Sequence, residues 1–359
     1  MAKQLKLDEA FAKAELGEKP FVETAEKPSE ETAKKPVIAE SAVHPAKELA
    51  KMFDAVVEAA EEKGISICPY CFDANASSDG WRSLGRAGVK TQMFKCHTCF
   101  RRFRGDWLPV SSHALPNQTC LVLTLFRSGL GVEVVADALK FLSLETADMV
   151  PLSKASVHRI ATNASKVLGG FEARLFEVVG GVGCEKLIVH TVGRRMAGRG
   201  KVFVASAIDT RSGYWFESAV VWEGAPSVQR FIENVRRKIR GQPSKILLSE
   251  KGWFLAEPLK HAFPTADLEK LPLLMGGERA RVLPVAKRVG RAFRKNVGFF
   301  SEDAVEALLT VSRAYYNFFE GKSQALGLPL PKSVKGWFTL FRYARFFEAK
   351  TSNSPEGIC

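Results

Sequence analysis

The chain of 359 residues has no apolar run near the ~20 residues that a membrane-spanning helix requires, so no transmembrane helix is expected. It shows no secretory leader, and its seven cysteines are odd in number. A reducing interior is therefore expected rather than a disulfide framework. Arginine is absent from residues 1–62, which carry 9 Lys against 14 Asp and Glu for a net of −5. Residues 1–17 could form a short charged helix. Residues 18–41 repeat loosely as Glu18-Lys-Pro, Glu26-Lys-Pro and Lys34-Lys-Pro, and a proline every eight residues rules out a continuous helix. So little apolar surface remains that residues 1–44 read as a disordered tail. The rest of the chain has the opposite character. Beyond residue 62 there are 43 basic and 25 acidic residues, a net of +18, which favours a polyanionic partner. A hydrophobic content of 46% supports real cores, and the length suits two or three domains.

Four of the cysteines form two tight pairs, Cys68-Pro-Tyr-Cys71 and Cys96-His-Thr-Cys99, separated by 24 residues. Two residues between thiols let one turn aim both sulfurs at a single tetrahedral ion, and two such turns close a Cys₄ zinc site. Redox Cys-x-x-Cys motifs do not usually come doubled. Four thiolates leave no open coordination position, so the zinc is expected to be structural. Phe94 and Phe103 are placed to pack around it, and Arg101, Arg102 and Arg104 follow the second pair. Cys120, Cys184 and Cys359 remain outside this set.

A lead helix over 45–63 and a zinc ribbon over about 65–106 make up the first folded unit, 45–110. Pro116 then opens a helix through Phe126, Gly129 and Gly131 break it, and a second helix covers Val132–Phe141. A third starts after Ser153, a suitable N-cap, and runs to Lys166. Three short helices with a glycine break read as a helix-turn-helix over 111–178. Its third helix offers Lys154, Ser156, His158, Arg159 and Asn163, residue types suited to phosphates and base edges. From about 185 strands are expected at Lys186–Thr191, Lys201–Ile208, Gly213–Trp222 and Lys245–Leu248. Helices are expected at Ser227–Arg240, Trp253–Phe263 and Ser301–Phe319. Antiparallel strands first, then alternating helix and strand, suit an RNase H-like mixed-sheet domain over 179–330, so the fold class is α/β. An aromatic helix over Lys332–Ala349 and a short tail complete 331–359.

Arg291-Ala-Phe-Arg294, Gly298-Phe-Phe-Ser301, Tyr315-Tyr-Asn-Phe318 and Ala325-Leu-Gly327 add landmarks in a set order. With zinc ribbon, helix-turn-helix and RNase H-like domain in sequence, the chain over about 65–330 resembles prokaryotic insertion-sequence transposases of the DDE type. The resemblance implies DNA cutting and joining by two Mg²⁺ ions held on three carboxylates. By the family's spacings, 19 residues back from Asp209, nine on from Gly241 and just ahead of Arg291-Ala-Phe-Arg294, the resemblance puts the three positions at His190, Glu250 and Lys287. One carboxylate is left, and magnesium wants hard oxygen ligands, so the triad is degenerate and Mg²⁺ is not expected. Lys287 could instead neutralise Glu250 as an ion pair. Glu278 and Asp209 are substitute carboxylates, but Asp209 suits the turn Asp209-Thr-Arg-Ser-Gly213.

The resemblance thus implies a DNA-binding protein without strand-transfer activity, acting as a regulatory or architectural factor. Three basic clusters would grip phosphates: Arg194, Arg195, Arg199 and Lys201; Arg236, Arg237, Lys238 and Arg240; and Lys287, Arg288, Arg291, Arg294 and Lys295. Double-stranded DNA, a homo-oligomer and a cytoplasmic, nucleoid-associated location are the accompanying expectations. Two alternatives stay open: an active transposase or nuclease with an altered metal site, and an interaction scaffold docking through the aromatic helix.

Overall fold

The computed structural model describes residues 40–84, 89–108, 116–127, 130–145, 149–196, 200–271, 282–290 and 302–352. Residues 1–39 with their proline repeat, Arg199, Glu278, Arg291, Arg294, Lys295, the Gly298–Ser301 landmark and Cys359 lie outside the described residues, as do the side chains of Arg194, Arg195 and Lys201, whereas residues 40–44, expected in the disordered tail, belong to a helix.

Helix α1 (Glu40–Glu62) leads into a three-stranded antiparallel sheet, β1 (Ala76–Leu84), β2 (Val89–Cys96) and β3 (Arg102–Arg104). Three helices come next: α2 (Pro116–Arg127), α3 (Val132–Glu145) and α4 (Lys154–Val178). Ser153 caps α4, its Oγ accepting from the Ser156 N–H, as its position before the apolar periodicity requires. The helix does not stop at Lys166. It passes through Gly169 and Gly170 because Leu168, Phe171, Leu175 and Phe176 are buried along it, and burial of four large side chains outweighs the ~1 kcal/mol that each glycine costs a helix. The third helix is therefore a 25-residue strut rather than a short element.

The larger sheet has the order β10-β9-β5-β6-β7. Strand β5 (Lys186–Met196) is central and pairs antiparallel with β6 (Gly200–Asp209), which pairs antiparallel with β7 (Trp215–Val221). On its other side β5 runs parallel to β9 (Lys245–Leu248), and β9 runs parallel to β10 (Asp267–Lys270). A parallel pair needs a crossover, which α5 (Pro226–Lys238) supplies between β7 and β9. Short β4 (Val182–Gly183) and β8 (Ile239–Arg240) pair separately. A 3₁₀ turn (Glu250–Leu255) and α6 (Ala256–Ala262) join β9 to β10.

Strand alternation divides the sheet's side chains between two layers. Leu187, Val189, Ala205, Phe216 and Leu248 face α4, α5 and α6. Ile188, Val204, Trp215 and Leu247 face a helical stretch, α7 (282–290), through Val282, Val285 and Val289. Helix α8 (Glu302–Phe319) joins that layer with Val305, Leu309 and Tyr316, while its Leu308 and Val311 belong to the first. The short α9 (Lys322–Ala325) precedes α10 (Trp337–Ser352).

Phe53, Phe72, Val122, Phe171, Phe231 and Phe341 share one apolar core, so the cysteine-bearing sheet, the three helices and the large sheet are joined by packing. The aromatic face of α10 is part of that core: Trp337, Leu340, Phe341, Tyr343, Phe346 and Phe347 are all buried. Covering these rings is how the helix holds itself to α1 and α4.

Candidate metal centre and nucleic-acid interface

Cys68 and Cys71 sit on the turn before β1, Cys96 ends β2, and Cys99 lies in the turn to β3. The two turns are built alike: Cys68 N–H donates to the Asp73 carbonyl at 3.1 Å, and Cys96 N–H donates to the Arg101 carbonyl at 3.0 Å. All four sulfurs fall within 4.8 Å of one another. The Cys68–Cys99 and Cys71–Cys96 sulfurs are 3.6 and 3.5 Å apart, too far for a disulfide. They approach the roughly 3.8 Å edge of a tetrahedron with Zn–S bonds of about 2.3 Å. The four thiols can hold a zinc ion, and the soft all-sulfur set suits zinc over magnesium. Burial pushes the Cys68 and Cys71 thiols up. At Cys96 burial acts the same way, but the backbone N–H groups of Cys99 and Thr98 prevail and lower it to about 7. Phe94 and Phe103, paired across β2 and β3 with ring centroids 5.7 Å apart, pack beside the sulfurs. Gly105 closes the unit, since a Cβ there would lie 2.6 Å from the Phe94 ring.

His190 lies on the central strand and shares its face with Ile188. The parallel register Val189↔Leu248 brings the end of β9 alongside, where Ser249 N–H donates to the Val189 carbonyl and Ser249 Oγ accepts from Thr191 N–H. Glu250 comes next, exposed at the start of the 3₁₀ turn. Gly252 must be glycine here, because a Cβ would meet the Thr191 methyl at 2.6 Å. Lys287 is exposed on α7. The expected ion pair does not form: Glu250 and Lys287 both face solvent, and it is Arg288 that binds a carboxylate, Glu320, at 2.5 Å. His190 Nδ1 is buried without a hydrogen-bond partner, and burial, with Lys251 nearby, lowers its pKa. Asp209 serves its turn, with Oδ2 accepting from the Ser212 N–H and hydroxyl and Oδ1 from the Cys184 thiol. Among the described residues the four cysteines are the one group of three or more His, Cys, Asp or Glu that could hold a metal.

The basic residues divide. Arg101 and Arg159 are exposed. Arg102 pairs with Asp79 at 2.6 Å, Lys154 with Glu133 at 2.6 Å, and Ser156 is engaged at the α4 cap. Arg104 is half-buried and held by both oxygens of Asp106, so its guanidinium stiffens the small sheet instead of facing outward. His158 is half-buried, while Arg236 and Arg237 are exposed. Lys238 breaks from its cluster: it is buried, with Nζ 2.7 Å from Glu172 and 3.0 Å from Glu217.

That lysine belongs to a group the sequence concealed. Arg313 binds Glu172 at 2.8 Å and also pairs with Glu217, and Tyr214 donates its hydroxyl to Glu172 at 2.8 Å. Two carboxylates and two cations thus neutralise one another inside the protein. Burial tends to raise the pKa of Glu217, yet Arg313 and Lys238 hold it below the usual carboxylate value. The Asn317 amide of the Tyr315-Tyr-Asn-Phe318 landmark clasps the Trp215 backbone on both sides. Above the cluster opens a cavity of about 740 Å³ whose walls include Arg230, Arg237 and Glu306. No local pattern marks these positions; the only hint is charge at otherwise apolar phases of α4 and α8.

No protein-family model matches the chain, and no curated protein matches it.

Proposed function

We propose that this is a DNA-binding protein of the DDE-transposase type, in which the grip on duplex DNA persists and strand-transfer chemistry does not. The proposal includes the finer architecture: a zinc ribbon in the cysteine-bearing sheet, a helix-turn-helix in α2 to α4, and an RNase H-like domain around the large sheet. The observation that carries it is that sheet, three antiparallel strands followed by two parallel ones in the order β10-β9-β5-β6-β7. His190 lies on its central strand and Glu250 just past the adjacent one, where the resemblance expects carboxylates. A two-metal centre needs hard oxygen donors. His190 offers nitrogen and Lys287 a positive charge.

Cys68, Cys71, Cys96 and Cys99 would hold zinc, whose chemistry there is to tie two turns into one rigid unit. Among the residues expected to contact DNA, Arg101, Arg159, Arg236, Arg237 and Lys287 are exposed and available to phosphates. A regulatory or architectural role, a homo-oligomeric state and association with the nucleoid belong to the same reading.

Duplex binding measured over a salt series, with cleavage assays in Mg²⁺ and Mn²⁺, tests it. Affinity is expected to fall steeply with salt, and no cleavage is expected. A flat salt response sinks the DNA reading. Metal-dependent cleavage abolished by Glu250→Ala sinks the inactive-enzyme reading and favours an altered metal site.

A further inference from the structure

The two cysteine turns share their spacing and their closing backbone hydrogen bond, and the residue after the second cysteine of each is a phenylalanine. Phe72 has φ 58° and Phe100 has φ 59°, the only non-glycine residues with positive φ among those described. A bulky side chain rarely adopts this left-handed region, and doing so strains the backbone. The two rings then diverge. Phe72 is 7% exposed and sits edge-on to Phe346 with centroids 5.5 Å apart, anchoring the small sheet to α10. Phe100 is 74% exposed. Beside it Arg101 lies over the Tyr70 ring at 5.0 Å, and Tyr70 is itself 51% exposed. Lys95 and His97 flank this tip and are exposed as well.

We infer that Phe100, with Tyr70 and Arg101, forms a stacking platform for unpaired bases of single-stranded DNA. The inference rests on the DNA-binding reading and adds to it a contact that phosphate-binding arginines do not make. Flat rings held clear of the protein match the faces of nucleobases, which a paired duplex hides. The cations around them match the phosphates that come with those bases. Glycine would satisfy the φ at position 100 without strain, so a ring kept there in solvent is accounted for by what it touches outside the chain. A second copy of the protein is the competing occupant. It fits less well, because the exposed charges beside the ring, Lys95 and Arg101, are both positive, the nearby Asp73 being taken by the Thr98 hydroxyl, and would face one another across a two-fold axis.

The test compares the zinc-loaded full chain with Phe100→Gly, Phe100→Tyr and Tyr70→Ala. Binding is measured to a fluorescein-labelled oligothymidylate and to a blunt duplex of equal length, with zinc content and sedimentation velocity alongside. Phe100→Gly is expected to keep its zinc, to be as stable as the wild type or more so, and to weaken single-strand binding about 5- to 150-fold with duplex binding nearly unchanged. Phe100→Tyr is expected to bind like the wild type, and Tyr70→Ala to be weakened. If Phe100→Gly binds the single strand as the wild type does, or loses both DNAs equally, the platform is overturned while duplex binding stands. Loss of self-association with unchanged DNA binding overturns it in favour of the second copy. A wild-type protein that binds neither DNA overturns both readings.

Discussion

Arg313 sits 4% exposed between two carboxylates, and removing it leaves Lys238 to answer both. Breaking a buried pair from one side typically costs about 3–5 kcal/mol. Arg313→Met is therefore expected to lose about that much in urea unfolding near pH 8. Because Arg313 and Lys238 depress the Glu217 pKa in the folded protein, this contribution is present above the unfolded carboxylate value, about 4.3, and fades as pH falls. In the variant, uptake of a proton by Glu217 relieves the unpaired charge, so the deficit should shrink toward pH 5. His190 has the same sign by a different route. Burial lowers its folded pKa, so the unfolded chain binds the proton first and stability drops as pH falls below about 6.5. His190→Gln should flatten the stability profile between about pH 5 and 7; an unchanged slope would locate the acid sensitivity elsewhere.

At the scale of elements, the small sheet is a rigid plug whose fastening is known residue by residue. Phe72 lies against Phe346, and Arg342 donates to the Gly105 carbonyl at 2.7 Å. Phe72→Ala should cost about 3 kcal/mol and expose the 65–106 segment to limited proteolysis. The matching change Phe100→Ala should stay within about 0.5 kcal/mol, since that ring stands in solvent. The spacing of the cysteines and the two phenylalanines is legible directly in the chain. Which phenylalanine turns inward is not, because that depends on the approach of α10 from more than 200 residues away. Likewise Gly131 stands just before α3, whereas Gly169 and Gly170 lie inside α4. The difference lies in the partners available: the second pair is flanked by Leu168 and Phe171, both buried in the core.

Among the described residues the main core runs from α1 to α10 and takes in Ile67 and Phe72 beside the cysteine turns, so loss of zinc should be felt beyond the small sheet. Chelation, or Cys96→Ser, is expected to remove the metal and lower the midpoint of a single denaturant transition. A separate early transition confined to the small sheet would show that the plug unfolds alone. The charge of the molecule obeys the same logic. A net of +18 beyond residue 62 sets the long-range field, while the fold selects which cations face outward.

The order of residues along the chain is enough to place the cysteine quartet, the strand at Lys245–Leu248, the cap at Ser153 and the Asp209 turn. Each is marked by residues a few positions apart, the quartet by two such pairs, and short-range spacing is a property of the chain. Three-dimensional packing was needed to show that Arg104 and Lys238 are taken by carboxylates, that the aromatic face of α10 lies inside, and that Glu217 meets Arg313, 96 residues away. Such pairings depend on which segments cross, and a crossing is fixed by the burial of whole faces, not by any local pattern.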